Sequence, residues 1–320
     1  MTAHGRVFRV ANTSILILLA LVTLYPFWYV IVASLSPPDH VASGGFVFWP
    51  SRFYTLNYLL MIVVGGVGKA YLVSILRVLI GVPLMLVVTG SIAFALSRRE
   101  MIGRKLIIYY LVPTLFLGGG LIPYYLLIRG LGLLNTFWVF VIPTVFRLGF
   151  MSIFKAFFTQ TVPEGLVEAA VLEGAGYIRI FFSLVMPLSK AVFATIFLFN
   201  AVTHWNDWFT GAFFVVEAKL WPLQTWLQNV THWPGGAWSR AREELAERMR
   251  IMAGGDTQIL EQILRLIASS VQKAAVVLTM MPIIIPYPFL QRYFVKGALE
   301  CRELLAGALV IHQVFRHRNT

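Results

Sequence analysis

The residues of this chain that could do chemistry are few, and most stand alone. The only approach to a phosphate-binding loop, G-x-x-x-x-G-K-[ST], is "VVGGVGKA". Val63 takes the place of the first glycine, and Ala70 replaces the hydroxyl that would hold magnesium. There is no H-E-x-x-H and no G-x-S-x-G, and the six histidines are scattered, His204 and His232 among them without a carboxylate at ligand spacing. The single cysteine, Cys301, excludes a disulfide within the chain and any cysteine-rich metal site. An enzyme is the class these residues least support; catalytic residues and metal ligands are expected to be none.

Two segments remain. The first is "THWNDWF", Thr203 to Phe209, in which Trp205, Asn206 and Trp208 set apolar ring faces and hydrogen-bonding edges around Asp207, a candidate substrate path. An aspartate in so apolar a setting faces a cavity or a partner. It either contributes to a substrate path or pairs with neighbouring helices to hold a bundle together. If the chain were a transporter driven by an ion gradient, Asp207 would be its coupling carboxylate. Arg77 and Arg147 read as paired or snorkelling residues rather than ligands. The second segment, residues 167–190, reads "VEAAVLEGAGYIRIFFSLVMPLSK" and sets two glutamates, an arginine and small residues between apolar runs.

The elements that must position these residues follow from composition. The chain has 320 residues, of which 58% are hydrophobic and only 12% charged, about half the share a soluble domain carries. No Asp, Glu, Lys or Arg occurs from Val10 to Pro38, Val78 to Ser97, Leu106 to Ile128 or Ala274 to Gln291. Each run approaches the roughly 20 residues needed to cross a bilayer as a helix. Leu131 to Phe157, carrying Arg147 and Lys155, and Ala191 to Val216, carrying Asp207, complete six expected transmembrane helices. The first run is longer than a signal-peptide core and is followed by no clear A-x-A site, so a retained helix is expected. Gly118-Gly119-Gly120, with Pro113 and Pro123, should interrupt the third helix, and Pro282, Pro286 and Pro288 the sixth.

The net charge of +12 would suggest nucleic acid in a soluble protein. In a membrane chain it reports topology instead. With the N-terminus inside, fourteen Lys and Arg fall in the inner short loops and tails, against three, Arg52, Lys69 and Arg129, outside. That bias places both termini and the 160–188 loop in the cytoplasm. The outer loop 217–272 carries further basic residues, but long loops cross largely regardless of charge. Within it, "SRAREELAERMRIM" pairs Glu244 with Arg248 at helical spacing, as a solvated surface helix does.

The 160–188 loop has the signals of two short helices. Thr161 and Glu164 stand at capping-box spacing, and Pro163 suits a first helical turn. The helix should run to about Glu173, with Gly174 as the left-handed residue that ends it. Gly176 permits a second turn, and "YIRIFFSLVMP" reads as a second short helix stopped by Pro187. Ala169 and Ala170 leave a low profile for another surface. Such an element is a knob rather than a linker.

Glu168-Ala169-Ala170, three residues, Gly174, nine residues, and then Leu184-Val185-Met186-Pro187 resemble the E-A-A … G … I-x-L-P loop of the permease subunits of bacterial ATP-binding-cassette importers. "LGGGLIPYYLLIRGLGLLNTFWVFVIP", "HWNDWF", "PLQTWL" and "YPFLQRYFVKG" are similar to the carbohydrate-uptake branch, the maltose-transporter-like type that carries oligosaccharides or uronic-acid-containing sugars. The likeness covers roughly residues 10–298; the tail 299–320 departs from the family's usual ending. It implies an all-α integral membrane protein of the type I importer fold, with a cytoplasmic tail 1–10, in the bacterial cell membrane. It also implies a second, related permease as heterodimer partner, a cytoplasmic ATPase dimer holding ATP and magnesium, and an extracytoplasmic solute-binding protein. The chain itself would bind no cofactor and no nucleic acid. By the same likeness Glu168 would make polar contacts with the ATPase, Ala169 and Ala170 would pack against it and Gly174 would set the turn, with Pro187 the last residue of the motif.

Overall fold

The computed structural model describes residues 3–38, 40, 48–63, 66–231, 247 and 257–284. Among these residues all regular structure is helical. In chain order the helices are α1 (Ala3–Ser34), α2 (Leu56–Val63), α3 (Val67–Ser97), α4 (Arg104–Leu111), α5 (Leu121–Gly130) and α6 (Leu148–Thr161). They continue as α7 (Glu164–Leu172), α8 (Tyr177–Ile180), α9 (Lys190–Asn206), α10 (Phe209–Phe214), α11 (Leu223–Thr231) and α12 (Thr257–Ile284). The chain divides into two compact units, Met1–Lys69 with Leu223–Pro282, and Ala70–Pro222 with Ile283–Thr320.

α1 and α3 are each long and apolar enough to cross a membrane. Two bent pairs, Phe137–Thr144 with Leu148–Thr161 and Tyr177–Leu188 with Lys190–Asn206, bring the number to four if each pair forms one span. Apolar side chains of α1 such as Leu18 and Val22 lie exposed, as a lipid-facing helix requires. In the first unit the end of α1 is tied down by polar groups. Asn57 donates to the Ser34 carbonyl at 3.1 Å, the Ser34 and Tyr58 hydroxyls lie 2.6 Å apart, and the Tyr54 N–H bonds the Leu35 carbonyl at 2.8 Å. Carbonyls that a helix end leaves open are thereby satisfied.

The second unit is built on broken helices. The expected third span gives way after α4 to a 3-10 turn, Val112–Leu115, and resumes as α5 beyond the glycine triplet. The fourth breaks between Thr144 and Leu148 with a bend of 43°. There Thr89 of α3 supplies what the break leaves open: its hydroxyl donates to the Val145 carbonyl at 2.9 Å and accepts from the Arg147 N–H at 3.3 Å. Irregular backbone inside a bilayer survives only with such partners. α12 starts at Thr257, within the segment read from sequence as outer loop, and passes Pro282. The "SRAREELAERMRIM" stretch (Glu247 aside), Pro286, Pro288 and the tail 299–320 lie outside the described residues.

A cluster of aromatic side chains forms the core of this unit. Phe154 stacks on Phe158 at 5.5 Å and meets Phe193 at 4.6 Å, while Phe94 lies 6.0 Å from Phe181, which meets Phe193 edge-on at 6.2 Å. Gly90 of α3 makes room for them: a Cβ there would stand 3.2 Å from Phe193 Cζ and 3.3 Å from Phe181 Cζ. Gly90→Val should therefore cost about 1–3 kcal/mol through overpacking, read as a lowered unfolding temperature in detergent, whereas Gly130→Val, which meets nothing within 4 Å, should not carry that steric cost.

Candidate functional site

Two sites emerge, both within the second unit. The first is the 160–188 segment. Thr161 is the last residue of α6 and so is not available to cap the next helix; its hydroxyl is buried without a partner. The capping box read from sequence does not form. Instead the extended Pro163 precedes α7, which begins at Glu164. The other end is closed as the sequence suggests. Gly174 has φ +83°, the Ala175 N–H bonds the Ala170 carbonyl and the Gly174 N–H the Val171 carbonyl, both at 2.9 Å. This pair of bonds is a Schellman closure, which a left-handed glycine permits at little cost.

α7 is two-faced. Val167 is buried and Ala170 packs against the aromatic core, as do Ile180, Phe181 and Val185 beyond the turn. On the other side Glu168 and Ala169 are exposed, with Leu172 at 89% and Ile178 at 79%. The outer side of this capped turn therefore presents an apolar surface beside the Glu168 carboxylate. After α8 a π turn, Phe181–Val185, and a last turn, Met186–Leu188, carry exposed Pro187; the chain then bends by 87° into α9. Pro187 thus sits inside the final turn rather than ending it. A cleft of about 650 Å³ lies beside the segment, lined by Phe94, Arg98, Met101, Tyr177, Ile178 and Phe182 among others.

The second site is polar and lies where α9 ends. The helix stops at Asn206, and Asp207 is extended rather than helical, so the aspartate marks a break rather than the middle of a fifth helix. Arg77 of α3, only 1% exposed, donates to Asp207 Oδ2 at 2.6 Å and to its main-chain carbonyl at 3.1 Å. The other carboxylate oxygen accepts the Thr210 N–H at 3.1 Å, which holds the start of α10. The guanidinium of Arg77 also lies over the Phe140 ring at 4.6 Å. Of the alternatives for Asp207, pairing with a neighbouring helix is what the geometry shows. Trp205 is buried, with its ring 6.5 Å from Tyr71, while Asn206 and Trp208 are exposed. His204 sits against Gly81, where a Cβ would come within 3.0 Å of its ring, and its Nε2 lies 3.4 Å from the Thr144 hydroxyl.

Asn135 escaped the sequence reading. Its φ of 57° is the left-handed conformation that asparagine tolerates, and its side-chain oxygen accepts the N–H groups of Val216 and Glu217 at 3.1 and 2.9 Å. It fixes the chain leaving α10. Lys219, paired with Glu217, holds that carboxyl below the ordinary carboxylate range. The only sequence signal was its place after "GLGLL", where a turn residue is expected.

Over 295 residues the chain is 32% identical to the polygalacturonan/rhamnogalacturonan transport system permease protein YtcP of Bacillus subtilis, covering 92% of this chain and 97% of that one. The chain belongs to the permeases of ATP-binding-cassette sugar importers. This permease is also 32% identical to the protein LplC of Bacillus subtilis over 93% of its length, and 27% identical to the diacetylchitobiose uptake permease NgcG of Streptomyces coelicolor over 69%. Among solved structures, a bacterial ABC transporter that imports the acidic polysaccharide alginate contains a chain matching the permease with a TM-score of 0.77 and 25% identity, over 92% of this chain and 99% of that chain. No family model matches the permease. YtcP and NgcG are named as permeases of a transport system and of an uptake system. Among the described residues no three His, Cys, Asp or Glu side chains gather as a metal site.

Proposed function

We propose that this permease is one half of the translocation path of an oligosaccharide importer, moved by a separate ATPase through residues 160–188. The observation that carries this reading is the two-faced α7. One face, Val167 and Ala170, is locked into the aromatic core, while the other presents Glu168, Ala169 and Leu172 for a partner. A push on the exposed face reaches α3, α6 and α9 through packed rings, the kind of contiguous contact that carries motion between sites. Six spans with both termini in the cytoplasm, a second permease, a solute-binding protein and the bacterial plasma membrane complete the proposal. Asn206 and Trp208 are its substrate-facing residues, whereas Asp207 holds the break together. An ion-gradient mechanism needs Asp207 as a free coupling carboxylate, and Arg77 occupies it.

The test is reconstitution in proteoliposomes with the partner permease, ATPase and sugar-loaded binding protein. ATP hydrolysis should rise with loaded binding protein, and sugar uptake should persist when ionophores collapse the ion gradients. Uptake that stops with the ionophore while the ATPase stays idle would overturn the reading.

A further inference from the structure

α4 and α6 pack on the same aromatic core: Ile108 and Leu111 of α4, like Leu148 of α6, lie against the buried cluster that contains Met151 and Phe154. Between the two helices is an open cavity of about 400 Å³, part of neither site described above. Arg104, the first residue of α4, and Lys155, in the second half of α6, both line it, and both are partly buried. Among the described residues no Asp or Glu lines this cavity, and neither cation has a carboxylate within ion-pair distance. Arg104 Nε is buried with no hydrogen-bond partner. The hydroxyls of Ser152 and Thr159 offer no substitute, since they donate to the Leu148 and Lys155 carbonyls at 3.0 and 2.8 Å. Two partly desolvated positive charges on one cavity repel each other, a cost that an anion between them would remove.

The shape of the lining says which kind of anion. Beyond the two cations the walls are oily, with Ile108, Leu111, Val112, Leu148 and Met151. Arg104, Ile108 and Leu111 stand at i, i+4 and i+7 of α4, so one helix face passes from charge to hydrocarbon over about 10 Å. A small inorganic anion has no use for such walls, whereas an acyl chain does. On the flank of the cavity Leu106, Tyr109 and Tyr110 of α4 are exposed, as on a surface that meets lipid, where tyrosine sits at headgroup level. Basic pockets between spanning helices take the headgroups of anionic lipids.

We propose that the cavity between α4 and α6 holds an anionic phospholipid, its phosphate between Arg104 and Lys155 and one acyl chain along Ile108, Leu111 and Met151. The inference rests on the membrane-permease family and is independent of the sugar carried. Its test is native mass spectrometry of the intact permease complex, taken from vesicles of phosphatidylcholine containing increasing phosphatidylglycerol. Wild type should retain phosphatidylglycerol in preference to phosphatidylcholine. Arg104→Gln with Lys155→Gln should weaken that retention between about ten- and a hundred-fold, the scale for losing charge-assisted contacts. Lys105→Gln with Lys190→Gln removes as much charge from exposed residues outside the cavity and should leave retention unchanged. If the first pair does not assemble, Val112→Trp decides: it fills the oily end, keeps both charges and should lower retention, and wild-type retention in it would overturn the proposal.

Equal loss in the Lys105 and Lys190 pair would overturn the proposal, because the lipid would then be held by a basic surface in general. Displacement by glycerophosphoglycerol, the headgroup without chains, would overturn it in favour of a free-anion site. A wild-type complex that keeps no phosphatidylglycerol would overturn it as well, and would assign the cavity to a carboxylate of another subunit. Neither sugar nor ATP enters the measurement, so each of these results leaves the importer reading standing. ATP-independent uptake would count against that reading and not against the lipid.

Discussion

Asp207→Ala should be among the most damaging single substitutions in the chain, costing about 3–5 kcal/mol of stability, because it leaves Arg77 buried without a counter-charge. Arg77 is 1% exposed, so water cannot replace the lost carboxylate in place. The same change frees the Thr210 N–H and the start of α10. Arg77→Met removes the other partner and leaves Asp207, which is 24% exposed, closer to solvent, so its cost should be smaller. The double variant Arg77→Met with Asp207→Leu should be more stable than Asp207→Ala alone, since apolar side chains of similar bulk substitute for the pair without an orphaned charge. A double-mutant cycle on detergent-solubilised protein, read by thermal unfolding, measures the coupling. Strictly additive effects would show that the two residues do not act as a pair.

Glu168→Arg should have the largest effect on activity and almost none on folding. Glu168 is exposed on the outer face of α7 and holds no contact that the core depends on, so the protein should reach the membrane in normal amounts. If this face docks as proposed, reversing its charge places an unmatched charge at the contact, a penalty of several kcal/mol when it is desolvated. Stimulation of ATP turnover by loaded binding protein should fall to the basal rate. Leu172→Asp, at the most exposed aliphatic side chain of α7, should act in the same direction by a different route. Normal stimulation in Glu168→Arg would remove the docking assignment. Loss of the protein from the membrane would assign the residue to assembly instead.

Both predictions concern residues that the sequence marks out, yet it explains them unequally. The Schellman closure at Gly174 is local: the bonds that make it join residues three and five apart, and a glycine after a helical run announces it. The long apolar runs are equally plain, because span length is set by the bilayer alone. Thr161 was misleading for a local reason too. A capping box needs a residue free of helix, and α6 extends through Thr161 before α7 begins. The Arg77–Asp207 pair joins residues 130 apart, and nothing in either neighbourhood names the other. The early start of α12 was hidden by Glu261, Arg265 and Lys273, which made a helix look like loop to a reading based on uncharged stretches.

The π turn at Phe181–Val185 has a consequence for the spacing between Gly174 and Pro187. Such a turn holds one residue more than the α-helical turn it replaces. Each residue of an α-helix rotates the chain by about 100°, so that extra residue sets the angular phase of everything on its two sides. Phe181 and Val185 face the core from within this turn, and Ile180 just before it. Shortening the stretch by one residue would relax it to ordinary helix and swing α7 by roughly a quarter turn about that axis. Residue type in this stretch is therefore open to drift among apolar side chains, whereas residue number is not. Under the proposed coupling, the turn would work as an index mark, fixing the angle at which a motor outside the chain grips.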